Sequence, residues 1–91
     1  MPSTTVKIVN KKGLHARAAA KFATTAANFG CQVQARCPGS QQWVDGKSVM
    51  SLMLLAAGHG SELEIHAEGE DESNALEAIR ELIANRFEEG E

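Results

Sequence analysis

The stretch Gly13-Leu14-His15-Ala16-Arg17 sets an imidazole and a guanidinium two residues apart, directly ahead of an alanine-rich segment. In that segment Ala19, Phe22, Ala23, Ala26 and Phe29 recur at steps of three and four. This spacing predicts a helix from Ala16 to Phe29, closed by Gly30 as a residue tolerant of left-handed φ. His15 then stands at the N-cap or one residue before it, where the first backbone N–H groups have no intrahelical partner. The positive end of the helix dipole disfavours an imidazolium, so a ring nitrogen is able to attack at neutral pH. An anion carried on that ring would meet N–H donors and the dipole together. Arg17 can form forked hydrogen bonds to phosphoryl oxygens. Gly13 lets the backbone bend ahead of the helix with no side chain to obstruct the ring. Together these residues suit a histidine that holds a phosphoryl group. They also fit an exposed histidine near a helix start with an incidental arginine.

Other chemistry is thinly supplied. Cys31 and Cys37 are the only cysteines, and on one strand they stand about 20 Å apart, beyond the reach of a disulfide. They read as small half-buried thiols. Neither they nor His15, His59 and His66 show a metal-ligand spacing, so no metal and no cofactor is expected. Ser48 sits well for an N-cap at the start of a second helix.

The remaining elements must position these residues. Thr4, Val6 and Ile8 alternate with Thr5, Lys7 and Val9, which predicts a strand over residues 3 to 9. Cys31, Val33, Ala35 and Cys37 alternate with Gln32, Gln34 and Arg36. Pro38-Gly39-Ser40 is a turn signal, so residues 31 to 45 read as a hairpin closed by a short strand with Trp43 and Val44 on opposite faces. Helical spacing then resumes for two to three turns after Ser48, with Gly58 as the stop. Leu63, Ile65 and Ala67 mark the inner face of a strand whose Glu62, Glu64 and His66 face water. A last helix is capped by Asp71, buries Leu76, Ile79, Leu82 and Ile83, and ends near Arg86 or Phe87 ahead of a frayed acidic tail. The order β-α-β-β-α-β-α predicts an α+β fold, an open-faced sandwich. A four-stranded antiparallel sheet has all three helices on one face and solvent on the other.

With 91 residues and 43% hydrophobic content the chain suits one soluble domain over residues 1–91. No apolar run reaches the roughly 18 residues that span a bilayer. The opening residues lack an export pattern, so a cytoplasmic protein without membrane insertion is expected. A net charge of −3 and no basic stripe with interleaved aromatics make nucleic acid a poor partner.

The motifs Gly-Leu-His-Ala-Arg-Ala-Ala and, some thirty residues on, Gly-Lys-Ser-Val-Met, in this element order and length, resemble the HPr family. These are the histidine-containing phosphocarriers of the phosphoenolpyruvate-dependent phosphotransferase system, and the likeness covers about residues 4 to 87. It implies that His15 accepts a phosphoryl group from phosphorylated enzyme I and passes it to a histidine of an enzyme IIA domain, with Arg17 positioning the group. It implies that Ser48 is a regulatory site for HPr kinase/phosphorylase. It places Val49, Met50 and Met53, with Ala16 and Ala20, on an apolar docking patch, and it implies a monomer that acts as a carrier and not as an enzyme. Leu52, Leu54 and Leu55 are read as divided between core and rim. One departure stands out: the family's usual proline after the arginine is Ala18 here, so a slightly less rigid helix start is expected. A mainly regulatory member of a nitrogen-type branch, acting by protein binding, is the alternative. Retention of His15 with Arg17 argues against that as the sole role. A small acyl-phosphate hydrolase would need an arginine-bearing phosphate loop and a water-holding asparagine, where this chain offers a nucleophile.

Overall fold

The computed structural model describes residues 3–88. Its elements follow the expected order: β1 (Ser3–Lys7), α1 (Ala16–Ala27), β2 (Gln32–Arg36), β3 (Val44–Asp45), α2 (Val49–Met53), β4 (Glu62–Glu68) and α3 (Glu72–Ala84), then a 3-10 turn at Arg86–Glu88. The strands form one antiparallel sheet in the order β1-β4-β2-β3. β4 pairs Val6 with Leu63 on one side and Ala35 with Ile65 on the other, which fixes its buried set toward the helices.

The inner face carries Val33, Ala35, Leu63, Ile65 and Ala67, all buried, and α1 meets it with Ala19, Phe22, Ala23 and Ala26. These residues join one buried cluster with the inner face of the sheet, in which the burial of Phe22 contributes about 2–3 kcal/mol. From α3 come Ala75, Ile79 and Ile83. Leu76 and Leu82, expected in the buried stripe, are only half-buried at its margins. Phe87, expected at a helix end, is fully buried. Arg86, Phe87 and Glu88 take left-handed φ of 56°, 54° and 63°, turning the chain back so that the ring enters the core. Lys21 Nζ donates to the Phe87 carbonyl at 2.9 Å and holds that turn against α1. Past Glu88, the expected acidic tail lies outside the described residues.

Several boundaries differ from expectation, each for a local reason. β1 ends at Lys7, although Ile8 still exchanges backbone hydrogen bonds with Gly60 and Ser61 at 2.8 Å each. α1 ends at Ala27, because the N–H groups of Asn28 and Phe29 turn to the carbonyls of Thr25 and Ala26 and tighten the last turn. Gly30 is not left-handed. α2 is a five-residue helix, stopped by Ala56 at φ 52° and not by Gly58. β3 shrinks to two residues.

The outer face of the sheet is less bare than expected. Trp43 and Val44 are both half-buried. The Arg36 guanidinium lies 4.3 Å from the Trp43 ring centre and also donates to Glu64 Oε1 at 2.8 Å. The His66 ring stands 5.8 Å from the Trp43 ring. Trp43 thus ties the short β3 across β2 to β4.

Asp71 is the N-cap residue of α3, as expected, but its carboxylate makes no capping bond. It accepts instead from the Gly30 N–H at 2.9 Å and the Cys31 N–H at 3.0 Å, joining the α1–β2 turn to the start of α3. The Gly30 N–H above all, with help from Cys31, holds this carboxyl below the usual carboxylate range. Burial first, and then Asp71, push the Cys31 thiol upward, which keeps it protonated and unreactive.

Two expectations follow. Because folding depresses the Asp71 pKa, the stability it contributes is present above the unfolded carboxylate range and is lost as pH falls through the folded value. Urea midpoints measured from pH 7 down to about pH 2 should fall less steeply for Asp71→Asn than for the parent. Parallel curves would contradict the assignment. An L-residue at the left-handed φ of Ala56 is strained by roughly 1–2 kcal/mol, partly offset by glycine's greater unfolded-state freedom, so Ala56→Gly should gain about 0.5–1 kcal/mol. For a domain of this size that raises the thermal midpoint by about 2–6 °C, and a lowered midpoint would contradict it.

Candidate functional site

The site is built where the β1–α1 turn meets the α2–β4 connection. The buried Asn10 donates from Nδ2 to the Gly13 carbonyl at 2.8 Å, and the Gly13 N–H returns to the Asn10 carbonyl at 3.3 Å. These bonds close a turn that leaves Lys11 and Lys12 exposed at its tip. Gly13 has φ 68°, and a Cβ there would lie 2.6 Å from Gly58 Cα and 2.7 Å from the Ala57 carbonyl oxygen. The bend therefore needs glycine for two reasons: a left-handed backbone and a bare backbone contact. The expected bend is present, and the close contact is with the main chain of the α2–β4 connection. Leu14, which sequence reasoning passed over, is buried and donates its N–H to the Ala57 carbonyl at 2.8 Å.

One residue on, His15 is the N-cap of α1, with φ −81° and ψ −177°. Its carbonyl receives the first intrahelical bond, from the Ala19 N–H at 2.8 Å. The imidazole is half-buried and does not cap the helix. The amides of Ala16, Arg17 and Ala18 precede that first bond, so the helix itself supplies them no acceptor. Arg17 is exposed in the same turn. Ala18 is fully buried inside an α-helix that begins where expected, and it keeps an N–H that proline would lack. A negatively charged group on the ring would meet the positive end of a twelve-residue helix, whose second residue is Arg17.

Ser48 is the N-cap of α2, as expected, and its Oγ accepts from the Ser51 N–H at 3.3 Å. Lys47 Nζ donates to the Phe29 carbonyl at 2.8 Å, fastening this helix start to the end of α1. On α2 the apolar residues divide clearly. Leu52 is buried, Val49 and Leu55 are half-buried, and Met50 and Met53 are 76% and 42% exposed. Leu54, at 81%, is the most exposed large apolar side chain described, and spacing alone did not single it out. Ala16 is exposed and Ala20 half-buried on the α1 surface beside Arg17. Val49 thus departs from the expected exposed set, since it packs against the core.

Among the described residues no group of three or more His, Cys, Asp or Glu side chains could hold a metal ion. No helix among them is long and apolar enough to cross a membrane.

Comparison with known proteins agrees with this geometry. The family profile described as the PTS HPr component phosphorylation site matches residues 2–85. The phosphocarrier protein HPr of Pseudomonas aeruginosa is 56% identical, with all of both chains covered. The crystal structure of HPr from Thermoanaerobacter tengcongensis superposes with a TM-score of 0.91 at 38% identity, again over the whole of both chains. An HPr dimer from the same organism matches with a TM-score of 0.75 at 39% identity, covering 98% of this chain and 100% of that one. The histidine at the helix start, the open-faced sheet and these likenesses together place the chain in the HPr family of phosphotransferase-system phosphocarriers.

Proposed function

We propose that this chain accepts a phosphoryl group on His15 from phosphorylated enzyme I and delivers it to a histidine of an enzyme IIA domain. The observation that carries the reading is His15 at the N-cap of α1 with Arg17 in the same turn, in a chain of the HPr family. In loading, a lone pair of the imidazole attacks phosphorus. The N–P bond to His15 forms as the donor's bond to phosphorus breaks, and the donor keeps that electron pair. Delivery is the same exchange with His15 as the leaving group. The first-turn N–H groups and Arg17 stabilise the negative charge on the phosphoryl oxygens while it is carried. The chain needs no cofactor for this and acts as a carrier, with the partners supplying the remaining chemistry.

Docking uses the exposed apolar surface of Met50, Met53 and Leu54 together with Ala16 and Ala20, where flexible thioethers accept more than one partner. Ser48 is a regulatory site for HPr kinase/phosphorylase. A phosphate there adds negative charge at the edge of that surface and repels acidic partners, and the helix dipole lets α2 tolerate it. We read the working form as a cytoplasmic monomer of one domain, because a carrier must present the same end to successive partners. The matched Thermoanaerobacter dimer makes the oligomeric state worth measuring.

Incubation with enzyme I and phosphoenolpyruvate should give an acid-labile adduct of one phosphoryl group, absent in His15→Ala and formed roughly 10- to 100-fold more slowly in Arg17→Ala. Incubation with ATP and HPr kinase/phosphorylase should instead give an acid-stable label, absent in Ser48→Ala. An adduct that survives His15→Ala, or a stable label that survives Ser48→Ala, contradicts the respective assignment.

A further inference from the structure

Among the described residues Asn10 is the one polar side chain that is buried, at 0% exposure, and every other buried residue with a side chain is apolar. It lies five residues ahead of His15. A buried amide is costly unless it is hydrogen-bonded, so an apolar side chain would fill the same space at less cost. What the amide adds is a donor. Its acceptor is the Gly13 carbonyl, at 2.8 Å, and because a carbonyl can only accept, that bond sets the NH2 of the carboxamide toward it. Gly13 lies outside both β1 and α1, so neither ladder supplies its carbonyl with a donor.

The Gly13 carbonyl and the Leu14 N–H belong to one peptide group, and in a trans peptide they point to opposite sides. The N–H donates to the Ala57 carbonyl at 2.8 Å. This peptide plane is therefore held at both ends, by a side chain of its own turn and by the α2–β4 connection. Of the two links across the turn the side chain makes the closer one, since the Gly13 N–H stands 3.3 Å from the Asn10 carbonyl. The backbone reaches His15, at the N-cap, one residue after the pinned plane.

We propose that Asn10 is a positioning residue for phosphoryl transfer: by pinning the Gly13–Leu14 peptide group it fixes the direction from which the His15 imidazole meets phosphorus. This rests on the carrier reading above. A small misplacement of the attacking atom slows a positioned reaction steeply. Docking, by contrast, uses Met50, Met53 and Leu54, which the turn does not carry. Removal of the amide therefore slows the transfer step and leaves recognition of the donor intact.

The test is rapid mixing of the protein with phosphorylated enzyme I at rising donor concentration, which separates the maximal transfer rate constant from the half-saturating concentration. Asn10→Ala should lower the first about 5- to 20-fold and change the second by no more than about twofold. Asn10→Ser, whose side chain is one atom too short to reach the Gly13 carbonyl, should show the same split and is read in its place where Asn10→Ala fails to fold. Hydrogen exchange supplies a second readout that needs no enzyme I. In either variant the Leu14 amide should exchange about tenfold faster relative to the amides of β4, which lies between β1 and β2. Ile79→Val, a change in the buried face of α3, lowers the unfolding midpoint but should leave both the transfer constant and that exchange ratio within about twofold of the parent. A variant at Asn10 that transfers at the parent's maximal rate, or that loses rate only in proportion to donor affinity, would overturn the positioning role and leave the carrier reading intact. A parent that takes no phosphoryl group would remove the carrier reading, and with it the role in transfer, while faster Leu14 exchange in Asn10→Ala would still support the pinned peptide.

Discussion

The contact on which the molecule's chemistry depends is one of backbone against backbone. Gly13, at φ 68°, lies so close to Ala57 and Gly58 that a single Cβ would come within 2.7 Å of either. Through that contact, and the Leu14 N–H bond to the Ala57 carbonyl, the α2–β4 connection sets where α1 begins. His15 is the next residue, and its N-cap geometry follows from the one before it. The imidazole is thus placed by packed main chain, which has few alternative arrangements. Side-chain hydrogen bonds reinforce it at one remove, through the buried Asn10.

From that fixed point the functional features fall into two surfaces. Around His15 are polar and cationic groups: helix amides, Arg17 and the lysine-bearing turn. Beside it, across the α1–α2 packing, Met50, Met53 and Leu54 stand out into solvent. On the proposed reading, the first kind of surface would orient a charged group, and the second would supply apolar area able to repack against different partners. Ser48 joins them, since its Oγ caps the helix whose next residues are the exposed ones. On the proposed reading, a charge added there would act on docking without needing to disturb the core.

Much of this was legible in the sequence because it rests on periodicity. Leu63, Ile65 and Ala67 alternate as a half-buried strand must, and the α1 alanines with Phe22 repeat at helical spacing, so both elements and their inward faces were readable. His15, Arg17 and Ser48 were readable because helix starts have a chemistry of their own. What escaped was set by contacts distant in sequence. Phe87 follows the last helical repeat and enters the core only through three left-handed residues. Leu14 and Gly13 owe their roles to residues more than forty positions away. The short α2 escaped because its apolar run gives no amphipathic signal to mark an end, and because an alanine takes the left-handed turn usually given to glycine. Ala18 proved compatible with an undistorted helix start, being small, buried and a good helix former.

The central claim is that main-chain packing at Gly13 holds His15 in position to carry a phosphoryl group. Gly13→Ala tests it most directly, with thermal unfolding and the rate of His15 loading by phosphorylated enzyme I measured on the same preparation. The account predicts a lowered unfolding midpoint together with loading slowed by about tenfold or more at temperatures where the variant is fully folded, since a misplacement of about 1 Å can cost that much. A variant that keeps the parent's stability and loads His15 at the parent's rate would contradict it.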